Sequence, residues 1–154
     1  MKITIAPIAL LIALLTAAPS FADSVPGVGI TREHMREMMA ARGWPATIKT
    51  DEYGATIIES SVNNVTFDVY FYECANDYCR DIQFAAGWSN VTVTPDQINN
   101  WITQKRFVRV YWKPGNVVWA EMDARISEGT TENIEEYLSL WPVMLGEFKT
   151  FMNL

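Results

Sequence analysis

Few residues in this chain could do chemistry. Cys74 and Cys79 are its only cysteines and His34 is its only histidine. The C-x4-C spacing is open to three readings: a thiol–disulfide redox pair, half of a metal site, or a structural bridge. Redox pairs usually stand as C-x-x-C at a helix start, and a zinc site needs two further ligands that a single histidine cannot complete. A nucleophile–histidine system would have to use His34, which sits among methionines and charges in "TREHMREMM" with no evident partner. A histidine on a helix surface is the plainer reading there, because catalysis needs a constellation. There is no H-E-x-x-H, and no glycine-rich loop between strand and helix that could cradle phosphate. Glu121 and Asp123 fall on one side of a strand, as an acid/base pair would, but Arg125 continues the series and makes a charged, solvated sheet face the better account. The run Lys105, Arg106 and Arg109 stands out in a chain of net charge -6. Structurally it complements a helix dipole and pairs with nearby acids; functionally it is a grip for a partner's carboxylates, to which the fork of Arg109 is suited. No catalytic, metal-binding or cofactor-binding residues are expected.

The chain start bears on the cysteines. Met1 and Lys2 precede an apolar stretch, "ITIAPIALLIALLTAA", and small residues Ser20 and Ala22 follow at the offsets of a cleavage site. This reads as a signal peptide, residues 1–22, with cleavage after Ala22. The stretch is short for a span and holds Pro7, so no stable membrane insertion is expected after cleavage. The protein is then expected in the periplasm or secreted, with a flexible lead-in over 23–30 and one domain over 31–154. Its acidity disfavours nucleic acid and anionic lipid surfaces. In an oxidising compartment paired thiols persist as disulfides. "VTFDVYFYEC" and "CRDIQFAAGW" alternate and are rich in aromatic and β-branched residues, as strands are, with "ANDY" as the loop between them. Setting Cys74 opposite Cys79 puts Phe71 against Ile82, Val69 against Phe84 and Phe67 against Ala86, apolar on apolar along one face. A bridge across this hairpin is the expected role of the cysteines, worth on the order of 2 kcal/mol for so small a loop.

The elements that must position these residues are well marked. "TREHMREMMAARG" is a helix with Thr31 as N-cap, a stripe of Met35, Met38 and Met39, and Gly43 as its stop. "WPATIKT", "ATIIESSV" and the two strands of the cysteine hairpin then make a four-stranded antiparallel meander. "VTPDQINNWITQKR" is a second helix, with Thr94 and Gln97 as a capping box, Pro95 at the first position, a Val93–Ile98 staple, and Lys105 and Arg106 in the last turn. "FVRVYW" and "VVWAEMDARI" are strands joined by the turn "KPGN". The final helix is "TENIEEYLSLWPVMLGEFKTFMNL", where Pro142 is expected to bend or split it near Trp141. The order α-β-β-β-β-α-β-β-α gives an α+β fold, an antiparallel sheet with flanking helices.

Three stretches, "YFYECANDYCRDIQFAAGW", "INNWITQKRFVRVYW" and "AEMDARISEGTTENIEEYLSLW", resemble the YbjN family of bacterial proteins. The resemblance runs from about Thr31 to Phe151 and is most specific at Cys74, Cys79, "QFAAGW", Trp101, Lys105, Arg109, Tyr111, Glu121 and Trp141. Ile102 departs from it, where a polar residue would be expected. The resemblance implies a fold similar to type III secretion chaperones and a role as a sensory transduction regulator, and it supplies no catalytic residues.

Aromatic placement carries the remaining functional signal. Tyr70 and Tyr72 fall opposite Phe67, Val69 and Phe71, and Val117 and Trp119 fall opposite Val118, Ala120 and Met122, so both hairpins are apolar or aromatic on both faces. Either helices cover part of each face, or an aromatic surface is left for a protein partner or a second copy. The expected function is non-enzymatic: a regulatory or chaperone-like protein that binds a protein or peptide in the cell envelope. Docking is expected through the sheet face and the segment from Trp101 to Tyr111, with Tyr70, Tyr72, Trp101, Lys105, Arg106, Arg109 and Tyr111 as the contacts, and a homodimer among the outcomes. The alternative is a small-molecule sensor or enzyme with a pocket between the final helix and the sheet, lined by Trp101, Trp119 and Trp141.

Overall fold

Alternation and capping signals place the strands and helices where the sequence sets them. The computed structural model describes residues 29–126 and 131–154; the expected signal peptide, most of the lead-in and the "SEGT" turn lie outside them. The order is β1 (Ile30–Thr31), α1 (Arg32–Ala41), β2 (Ala46–Thr50), β3 (Thr56–Val62), β4 (Val65–Ala75), β5 (Tyr78–Trp88), α2 (Pro95–Gln104), β6 (Arg109–Lys113), β7 (Val117–Arg125) and α3 (Thr131–Met152). The fold is α+β, with one antiparallel sheet in the order β2-β3-β4-β5-β7-β6.

The meander forms as expected, and its turns show why. Asn63 and Asn64 both take positive φ, the geometry of a two-residue hairpin turn, and Val62 pairs Val65 across it. In the cysteine hairpin Val69 pairs Phe84, Phe71 pairs Ile82 and Cys74 pairs Cys79, and the two cysteines are joined as a disulfide. The loop is tighter than the four residues expected. Ala75 pairs Tyr78, leaving only Asn76 and Asp77, both at positive φ, to turn the chain. Asparagine and aspartate tolerate that conformation better than other non-glycine residues, so the ladder zips further than the polarity of "ANDY" suggests.

A short strand not foreseen in the sequence, β1, pairs Ile30 with Cys79. Gly29 approaches so closely that a Cβ there would stand 2.0 Å from the Cys79 carbonyl oxygen. Two residues assigned by sequence to the lead-in, Gly29 and Ile30, are therefore buried.

Helix signals hold at their starts and drift at their ends. Thr31 caps α1 by accepting from the His34 backbone N–H, and Gly43, at φ +76°, stands one residue beyond the Arg42 cap. The Thr94–Gln97 capping box of α2 is complete on both sides. That helix ends at Gln104, however, and Lys105 is its extended C-cap, so Lys105 and Arg106 are not in the last turn as expected. Pro142 does not split α3, which runs through it as one helix.

The helices contribute Met35, Met38 and Met39 (α1), Trp101 (α2) and Ile134, Leu138, Trp141, Leu145 and Phe148 (α3) to one apolar core. The sheet contributes only the side carrying Ile58, Phe67, Val69, Phe84, Val118, Ala120 and Met122. Trp141 lies 5.8 Å from Phe67 and 5.6 Å from Phe84, ring centre to ring centre, at the middle of this layer. Among the described residues, all three helices thus pack on one face, and the opposite face carries none. Three helices leave the second set of aromatics uncovered.

Candidate functional site

Strand alternation puts Tyr70, Tyr72, Gln83, Arg109, Tyr111, Trp119, Glu121 and Asp123 on the helix-free face. Register sets them side by side across four strands: Tyr70 opposite Gln83, Gln83 opposite Asp123, Glu121 opposite Arg109, and Trp119 between Gly87 and Tyr111. Gly87 makes room for the indole, since a Cβ there would lie 3.1 Å from the Trp119 ring.

A continuous polar network results. The Tyr111 hydroxyl donates to Glu121 Oε1 at 2.6 Å, and Arg109 Nε donates to Glu121 Oε2 at 2.7 Å. Arg109 also sets Nη2 at 2.6 Å from Glu121 Oε2 and Nη1 at 3.3 Å from Asp123 Oδ2. Gln83 Nε2 donates to Asp123 Oδ1 at 2.6 Å, and the Tyr72 hydroxyl donates to Gln83 Oε1 at 3.3 Å. The chain Tyr111–Glu121–Arg109–Asp123–Gln83–Tyr72 therefore crosses β6, β7, β5 and β4. Glu121 and Gln83 are buried within it although no helix packs above them. Lys113 holds its ammonium over the rings of Tyr111 and Trp119, 5.4 and 5.1 Å from their centres.

Electrostatics follow this geometry. Burial holds the Tyr111 phenol well above its ordinary range, and its bond to Glu121 adds to the effect. Burial also raises Tyr70, to about 12, and raises Tyr72, with Glu121 and Asp123 contributing to the latter. The hydrogen bond to Glu121 raises Arg109 further. The phenols are thus held neutral and the buried Glu121 is paired with a guanidinium. Asp68 on the same face keeps a buried Oδ1 without a hydrogen bond, 3.8 Å from Lys49 Nζ, but the network from Tyr111 to Tyr72 is satisfied within itself. A partner laid over it strips little water from unpaired groups, while Tyr72, at 46 % exposure, offers a ring with a polar tip.

The seven expected contact residues are divided by the fold. Tyr70, Tyr72, Arg109 and Tyr111 come together on this face. Trp101 does not: it is fully buried, donates from Nε1 to the Val108 carbonyl at 3.0 Å, and packs edge-on against Phe148 and Phe151. Its periodic place on the inner side of α2 makes it core, so a partner cannot reach it. Lys105 turns to α3 and bridges Glu147 at 2.8 Å, while Arg106 is exposed and has no ion pair among the described residues. The fork of Arg109, read as a grip for a partner's carboxylate, is already engaged by Glu121 and Asp123. Gln83 is the residue that sequence reasoning passed over. Its signal was a lone amide in the alternation of "CRDIQFAAGW", between two residues that face the core.

Over residues 31–153 the chain matches the model of the YbjN family, described as "Putative bacterial sensory transduction regulator". The chain belongs to the YbjN family. No curated protein and no solved structure matches it.

The YbjN match covers every residue of the network. The space between α3 and the sheet, where a pocket was the alternative expectation, is filled at its centre by Trp141, Phe67 and Phe84. At its margin a cavity of about 360 Å³ is lined by Phe107, Met122, Asp123, Glu136, Tyr137 and Leu140. Trp101 and Trp141 are core residues, and Trp119 lies on the other face of the sheet.

Proposed function

We propose that this YbjN protein is an exported, non-enzymatic regulator that acts by binding a protein or peptide in the cell envelope, with the helix-free sheet face as its docking surface. The observation that carries this reading is the network from Tyr111 to Tyr72 on an aromatic face, where the buried Glu121 is paired with Arg109 and both phenols bond within the chain. Large rings with satisfied polar tips favour contact with protein over contact with solvent. The regulator description of the family supports the regulatory role, and the cleavage pattern after Ala22 supports export. The test is crosslinking in intact cells of the protein expressed with its own N-terminal segment. Its neighbours are then identified by mass spectrometry, and the capture is repeated with Tyr72→Lys. A reproducible partner lost in a folded Tyr72→Lys protein supports the reading. Capture unaffected by Tyr72→Lys removes the docking surface, and recovery of the protein only in the cytoplasm removes the envelope role.

A further inference from the structure

Among the described residues β6 closes one side of the sheet, because it pairs there only with β7. Such an edge carries backbone N–H and C=O groups on its outer side with no ladder to join. None of the backbone hydrogen bonds outside the ladders and helices of the described residues involves Arg109 to Lys113. Beside this edge, on the helix side, a cavity of about 400 Å³ lies between α2 and β6, walled by Val93, Pro95, Ile98, Val110 and Trp112. Trp112 is 52 % exposed there. On the other side of the strand stand Arg109, Tyr111 and Lys113.

We infer that β6 is a docking edge for an extended peptide segment whose side chains alternate between apolar and acidic. The inference rests on the binding role proposed above and adds the chemistry of the partner. A strand laid along β6 would send every second side chain into the apolar cavity and the others toward Arg109, Tyr111 and Lys113, by the two-residue period of extended chain. The two cations differ in what they have left to give. Arg109 already faces Glu121 on β7, whereas Lys113 faces Val117 and has no carboxylate partner among the described residues. A carboxylate opposite Lys113 supplies the missing charge, and opposite charges directly across two strands stabilise the pair. The same lysine guards the edge, because a strand without an acid there gains nothing from it and a basic one is repelled. A second copy of the chain is such a strand. An antiparallel β6–β6 pairing centred on Tyr111 sets Arg109 opposite Lys113 twice, like charge on like charge.

The test is calorimetric titration of the full protein with a synthetic octapeptide of alternating glutamate and valine. Lysine–valine and fully N-methylated glutamate–valine peptides serve as controls. Saturable binding of the glutamate–valine peptide is expected, weakening as salt is raised. It should weaken about tenfold or more in Lys113→Glu, and be lost in Trp112→Ser and with the N-methylated peptide, which cannot extend the ladder. Both variants alter exposed side chains, and circular dichroism checks that they fold. No binding, equal binding of the lysine–valine peptide, or undiminished binding to the two variants overturns the inference. So does a dimer in sedimentation that Trp112→Ser dissolves, which assigns the edge to a second copy. Envelope capture that depends on Tyr72 while the peptide fails to bind leaves the proposed function standing and removes this inference alone.

Discussion

At the scale of single residues, Glu121 governs the helix-free face. It is the one carboxylate of the network that is buried, and it takes bonds from Tyr111 and Arg109 at once. Glu121→Gln removes the charge that Arg109 faces and should cost about 1–3 kcal/mol, read as a lower urea midpoint. Tyr111→Phe, which leaves the ion pair intact, should cost about 1 kcal/mol. The phenols also set an alkaline limit. Below pH 10 a tyrosine keeps its proton in both folded and unfolded chains, so its contribution is constant. Above that the unfolded chain ionises first, while Tyr70 holds its proton to about 12. Stability should therefore fall as pH rises from 10 toward 12, and Tyr70→Phe should make that fall shallower in denaturation series across this range.

Among the elements, the junction of β1 with the tip of the cysteine hairpin ties the N-terminal side of the domain together. Arg32, the first residue of α1, reaches the Thr56 carbonyl, lies 3.7 Å from the Cys74 sulfur and stacks 5.1 Å from the Phe71 ring centre. Substituting both cysteines by serine should cost on the order of 2 kcal/mol. Amide exchange should then speed up first in Ile30, Thr31 and the start of α1, while α3 stays protected. Gly29→Ala should act on the same junction by a different route, since its Cβ would collide with the Cys79 carbonyl at a positive φ of +113°. Exchange uniform over the whole chain in either variant would show that the junction is not a separate unit. Loss of the capping box in Thr94→Ala should lower stability by about 1 kcal/mol, read from thermal melts.

At the scale of the molecule, the placement of the helices of the described residues on one side of the sheet decides what is left for function. Trp141, Phe67 and Phe84 fill the layer between α3 and the sheet, and Trp141→Ala should cost about 3–5 kcal/mol by emptying it. Such a variant tests stability alone. A Tyr72→Lys protein with the melting temperature of the parent and no envelope partner would test function alone, because Tyr72 lies on the face the core does not use.

Strand register, caps and the pairing of the cysteines were legible because they depend on neighbours near in sequence. Alternation fixes which side chains share a face, a threonine or proline fixes where a helix begins, and a tight hairpin fixes which cysteine meets which. The sequence by itself therefore determined the α+β order and the set Tyr70, Tyr72, Arg109 and Tyr111. Tertiary structure alone decided that the helices gather on the opposite face, that Trp101 is core, that Arg109 spends its fork on Glu121 and Asp123, and that β7 sits between β5 and β6. Each of these depends on which distant segment packs where. Side-chain periodicity shows that two faces exist but not which one a helix many residues away will cover.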